Sequence, residues 1–157
     1  MAPKIGKTAE PTKAAKAAHM EKAAHTTNYA DAFIEIADDC SVEAAEIPPS
    51  KNGQPTVASL QYDLIAGHPY KYTSDDVIFK VYAQKSGVEE TIEARAGFFA
   101  KGQPCLRASP LSKRYGWGVH SDAQGRVAIY AIESAQYKRF ALDSQLKHLK
   151  AMRSSRA

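Results

Sequence analysis

The stretch Tyr115-Gly116-Trp117-Gly118-Val119-His120-Ser121-Asp122-Ala123-Gln124-Gly125-Arg126-Val127-Ala128-Ile129-Tyr130-Ala131-Ile132 decides the fold class. Residues 115–120 and 126–132 are rich in β-branched and aromatic side chains, which suits pleated strands. Between them, residues 121–125 fit a type I turn closed by a left-handed glycine at Gly125. A connection this short joins antiparallel neighbours, because parallel strands need a crossover of a dozen or more residues. A wholly parallel, doubly wound sheet is therefore disfavoured. The expectation is an α+β domain with a mainly antiparallel sheet and helices packed on one face.

Outward from the hairpin, Phe33-Ile34-Glu35-Ile36-Ala37 reads as a strand over residues 31–37, ended by Asp38-Asp39. Pro48-Pro49 and Asn52-Gly53 mark a loop over residues 38–55. Pro55 or Thr56 opens a helix with Val57, Leu60, Leu64 and Ile65 on one face, and Gly67 with Pro69 stops it. The run Val77-Ile78-Phe79-Lys80-Val81-Tyr82 reads as a strand. Ser86-Gly87-Val88-Glu89 matches a capping box, opening a helix with Val88, Ile92, Ala96 and Phe99 on one stripe and its end at Gly102. Ser134 caps a last helical stretch in which Leu142, Leu146 and Leu149 repeat at helical spacing, with Asp143-Ser144 as a break or a second cap.

A length of 157 residues fits one domain, placed at residues 25–157. Residues 1–24 hold eight Ala and five Lys and no aromatic side chain. Such a segment buries too little apolar surface to offset its ordering entropy, so a disordered Ala/Lys-rich tail is expected there. Hydrophobic residues make up 44% and charged residues 24%, which excludes collagen, a disulfide miniprotein and a wholly disordered chain. The formal charge of +4 divides as +3 over residues 1–24, −5 over 25–109 and +6 over 110–157. Nucleic acid is thus only weakly supported as a partner, since the tail carries much of the excess. No apolar run approaches the roughly 20 residues of a membrane span, so no membrane association is expected. Two cysteines, Cys40 and Cys105, make no disulfide framework, and no secretory signal precedes the domain. A reduced, cytoplasmic protein is the expectation.

The chain lacks GxGxxG, a Walker loop, HExxH, CxxC and GxSxG. The densest functional segment is residues 102–120, with Arg107, Lys113, Arg114, Tyr115 and Trp117 as candidate ligand-binding residues, joined by Tyr72. Arginine offers a bidentate fork to carboxylate or phosphate, and Tyr and Trp offer stacking faces. These types suit an anionic or aromatic small molecule, although Tyr115 and Trp117 equally suit a core. His120, Asp75 and Cys105 are the catalytic candidates: a thiolate needs a neighbouring base or cation, and His or Asp can move a proton. Asp75-Asp76 after Thr73-Ser74 also reads as turn or cap chemistry. His25, His68, His120 and Cys40 have no metal-ligand spacing, so neither metal nor cofactor is assigned.

The segments HTTNYADAFIEIADDC, EIPPSKNGQPTVASLQYDLI, HPYKYTSDDVIFKVYA, GQPCLRASPLSKRYGWGVHSD and KAMRSSR resemble an uncharacterised, mainly bacterial domain-of-unknown-function family, DUF6157. The resemblance spans roughly residues 25–155 and implies no activity. Its most distinctive positions fall on polar and aromatic residues here, among them Asn28, Tyr29, Lys71, Tyr72, Cys105, Arg107, Lys113, Arg114, Trp117 and His120. Two functions stay open. One is a non-enzymatic binding domain acting through residues 102–120. The other is a small enzyme whose pocket joins Tyr29, Tyr72, Asp75, Arg107, Lys113 and His120 around a phosphorylated or carboxylated substrate.

Overall fold

The computed structural model describes residues 25–154, so the expected tail over residues 1–24 lies outside the described residues. In chain order the elements are strand β1 (Ala32–Glu35), helices α1 (Val57–Gly67), α2 (Ser74–Ser86) and α3 (Ile92–Phe99), a 3₁₀ turn (Leu106–Ala108), helix α4 (Pro110–Lys113), strands β2 (Trp117–Ser121) and β3 (Val127–Ala131), helix α5 (Ala135–Leu142) and strand β4 (Lys147–Lys150). They fall into two compact units, a main one over residues 27–89 and 104–154 and a small one over residues 25–26 and 90–103.

In the main unit the strands form one sheet in the order β3-β2-β1-β4. The expected hairpin is present: β2 and β3 pair antiparallel from Trp117↔Ala131 to Ser121↔Val127. Gly125 closes the turn at φ +80°, a conformation that glycine adopts without steric cost. β1 pairs antiparallel with β2 and parallel with β4. The class is thus α+β with a mostly antiparallel sheet.

Successive side chains of a strand point to opposite faces, and β1 shows what each face meets. Ile34 joins Val119 and Val127 in a buried cluster with Ile65 of α1, Val77 of α2, and Leu106 and Leu111. Phe33 turns the other way. Its ring lies 5.0 Å from Tyr137 and 5.4 Å from Phe140, both on α5. The helices therefore cover both faces, not one as expected. The reason is local: Gly118 presents no side chain where Phe33 and Tyr137 meet, and the Tyr137 hydroxyl accepts the Ile36 N–H at 2.9 Å.

Helix α1 matches its reading in extent, with Leu60 and Ile65 buried as expected, whereas Val57 is exposed. Thr56 and Ser59 form a reciprocal capping box. The expected strand at residues 77–82 is instead part of α2. Thr73 and Asp76 cap that helix reciprocally, Asp75 and Asp76 sit in its first turn, and Gly87 ends it in the left-handed conformation at φ +66°. The glycine read as part of a capping box is thus a helix terminator. The last helix also stops early. α5 starts at its expected cap, Ser134, but ends at Leu142, and Leu149 belongs to β4.

In the small unit, Thr91 caps α3 by accepting the Ala94 N–H. Phe99 is buried, whereas Ile92 and Ala96 of the expected stripe are exposed. The Phe99 carbonyl accepts the His25 N–H at 2.9 Å.

Candidate functional site

Three groups of polar side chains form in the main unit, and each draws on separate parts of the chain. The first centres on Tyr29. Its hydroxyl lies 3.6 Å from the Cys105 sulfur. Arg107, in the 3₁₀ turn, lies near enough for its charge to act on the Tyr29 hydroxyl, and its Nε donates to the Lys150 carbonyl at 2.7 Å. Lys147 places its ammonium 5.6 Å from the Tyr29 ring centroid. The Cys105 thiol and then burial push the Tyr29 hydroxyl above its ordinary value, while Arg107 opposes them. Neither Arg107 nor Lys147 has a carboxylate partner among the described residues. Two cations therefore lie beside one tyrosine, and among the described residues neither is in an ion pair with a carboxylate.

The second group centres on His120. Its Nδ1 lies 2.8 Å from the Tyr70 hydroxyl, which lies 2.8 Å from the Tyr130 hydroxyl. The imidazole stacks on Phe140 at 4.2 Å between centroids. Burial pulls His120 below the ordinary histidine value, and the Asp122, Asp31 and Asp143 carboxylates oppose that shift. Burial and the Tyr130 hydroxyl push Tyr70 above the ordinary tyrosine value. Tyr70 has φ +59°, a left-handed conformation unusual for a bulky residue. Backbone bonds hold it there, from the Tyr70 N–H to Val127 O and from the Val127 N–H to Tyr72 O, each 2.9 Å.

The third group is structural. The buried Asp75 Oδ1 accepts both the N–H and the hydroxyl of Thr27 at 2.7 Å, and the Asp75 N–H donates to Asn28 at 2.9 Å. These bonds fasten the chain before β1 to the start of α2. The Asp75 carboxylate thus serves to hold Thr27.

The candidates of residues 102–120 do not gather in one place. Trp117 and His120 sit an odd number of positions apart on β2, so they leave opposite faces of the sheet. Trp117 packs on Tyr62 at 5.3 Å and donates its indole N–H to the Glu46 carbonyl at 2.8 Å. Tyr115 is half-buried, and its carbonyl accepts the Glu46 N–H. Lys113 and Arg114 end α4, half-buried and exposed respectively. Tyr72 stands apart, edge-on to His68, with the Lys71 and Lys80 ammoniums 5.4 and 5.3 Å from its ring centroid. Among the described residues no group of three or more His, Cys, Asp and Glu side chains could hold a metal ion.

Sequence reasoning singled out neither Lys147 nor the pair Tyr70 and Tyr130. Lys147 lay in a stretch read as helix, and Tyr70 beside the stop signal Pro69. The Tyr70 and Tyr130 hydroxyls could be joined to His120 only once the turn before α2 was seen to run beside β3.

A model of a family of unknown function, DUF6157, matches residues 24–157. The chain belongs to that family. The match spans both groups centred on Tyr29 and His120, so each lies within the DUF6157 region. No curated protein and no solved structure matches the chain. The DUF6157 assignment brings no reaction with it, and the chemistry has to be argued from the two groups themselves.

Proposed function

We propose that this protein is a small-molecule-binding domain that takes an anionic ligand, a carboxylate or a phosphate, at Arg107 and Lys147. The observation that carries this reading is the pair of cations beside Tyr29 without a carboxylate partner among the described residues. Arg107 is half-buried and already oriented by its bond to the Lys150 carbonyl. Its remaining guanidinium N–H groups suit a planar anion. Lys147 adds a point charge from the edge strand, and the Tyr29 ring offers a face against which the ligand's apolar part can rest. Residues 102–120 thus contribute Arg107 and Cys105 to this site, and the other contributors come from the chain before β1 and from β4.

Binding of inorganic phosphate and of a dicarboxylate such as succinate, measured by calorimetry at low and high salt, tests the proposal. Lys147→Gln removes an exposed charge without touching the core. Arg107→Gln removes the fork, whose charge-assisted bonds are worth about 1.5–3 kcal/mol each, roughly tenfold or more in affinity. Both variants are expected to weaken binding, Arg107→Gln the more, and Lys113→Gln to leave it unchanged. Equal affinity in wild type and Arg107→Gln would sink the idea.

A further inference from the structure

The sheet face that carries Phe33 bears a second arrangement with different chemistry. His120 has one ring nitrogen engaged and one not. Nδ1 meets the Tyr70 hydroxyl at 2.8 Å, whereas no described residue hydrogen-bonds Nε2. The imidazole is fixed in orientation by its stack on Phe140 at 4.2 Å and by its edge-on contact with Tyr70 at 5.6 Å. The hydrogen bond at one imidazole nitrogen decides what the other can do. Here that bond belongs to a chain of hydroxyls, because Tyr70 reaches Tyr130 at 2.8 Å.

We propose that His120 is a reactive centre separate from the anion site, in which Nε2 acts as a general base toward an uncharged or cationic ligand, with Tyr70 and Tyr130 as the positioning residues. In the base-competent state Nδ1 carries the proton and donates it to the Tyr70 oxygen, and Tyr70 turns its own proton to Tyr130. Nε2 then presents its lone pair. It takes a proton from the ligand, whose bonding pair stays on the ligand, and the ring becomes an imidazolium that keeps its bond to Tyr70. Returning that proton to ligand or water closes the cycle. The opposite hydroxyl orientation puts a proton on Nε2 and makes it a donor. The chain therefore selects between acid and base forms of one neutral ring.

The charged groups around the ring set the ligand class. Asp31 precedes β1, Asp122 starts the β2–β3 turn and Asp143 follows α5, and all three act on His120 with the same sign. Glu35 lies farther along β1 within 3.7 Å of His148. These carboxylates disfavour a phosphate and favour a cation, and the Tyr130 and Phe140 rings, 5.0 Å apart, supply aromatic surface for one. Tyr70 is held in its left-handed conformation by the bonds to Val127, an outlier of the kind that surrounding structure maintains at working sites. This centre does not rest on Arg107 or Lys147.

Diethyl pyrocarbonate tests it in the full chain. A neutral imidazole nitrogen attacks the reagent's carbonyl carbon, the C–O bond to the ethyl carbonate leaving group breaks, and the ring proton passes to buffer. Mass spectrometry of the peptides follows each histidine across pH. The expected result is modification of His120 in the folded protein, with its half-maximal rate below the pH of an ordinary imidazole. Tyr70→Phe should shift the His120 profile and leave those of His25 and His68 in place, and Tyr130→Phe should do so to a lesser degree. Benzylamine should slow modification of His120 several-fold, and inorganic phosphate should not. An unmodified His120 beside modified His25 and His68 overturns the open nitrogen. An unchanged profile in both tyrosine variants, with folding confirmed by circular dichroism, overturns the hydroxyl chain. Protection by phosphate instead of benzylamine overturns the ligand class.

Discussion

Gly118 shows how one residue governs the packing of a whole sheet face. A Cβ at this position would lie 2.6 Å from the Phe33 ring and 2.6 Å from the Tyr137 ring. Both rings are buried, so neither can give way cheaply. Gly118→Ala is therefore expected to lower stability by about 1–3 kcal/mol, read as a lower urea midpoint. An unchanged midpoint would mean that α5 does not press on this face. The identities of the candidate residues were legible early: Arg107, Cys105, Tyr29 and His120 are rare, reactive types in polar company. Their separation was half-legible. Strand parity alone sends Trp117 and His120 to opposite faces. That Lys147 comes beside Tyr29 was not legible, because it depends on the register Ala32↔Lys147 between distant strands.

At the level of elements, α1 and the hairpin were readable because local signals and burial agree in them. α2 was not, and the cause is its enclosure. Val77, Phe79, Val81 and Ala83 are all buried, so the helix hides apolar side chains around most of its girth and imitates the alternation of a strand. What betrays the helix lies at its ends, in Thr73 with Asp76 and in Gly87. Thr73→Ala should then cost about 1 kcal/mol, seen as a lower thermal midpoint together with faster amide exchange in the first turn of α2. A midpoint equal to wild type would show that the cap is redundant. β4 escaped notice for the opposite reason. Lys-His-Leu-Lys has no apolar alternation, because an edge strand needs only its backbone and gains from charges that deter further pairing.

For the whole molecule, pH offers the broadest test. His120 is held below its ordinary value in the folded state, so the unfolded chain binds more protons just below pH 6.5. Its contribution is complete above that pH and is lost as pH falls toward the folded-state value. Tyr137 is pushed up to about 12 by burial, and Tyr70 is also raised. Their contribution is complete below pH 10 and is lost as pH rises through their folded-state values. Urea midpoints should therefore form a plateau between these limits, and His120→Gln should flatten the acid flank. A plateau edge unmoved by that variant would assign the acid loss to other groups. The parallel pairing of β1 with β4 bears on a different matter, the order of events at the ribosome. β1 emerges early, yet its two neighbours, β2 and β4, are made much later, and Lys147 must exist before Ala32 can pair on that side. Contacts this distant in sequence slow folding and leave an unpaired apolar strand waiting. A nascent chain stalled before residue 117 would leave β1 unpaired on both sides with Phe33 and Ile34 exposed, which makes β1 a segment in need of a chaperone during synthesis.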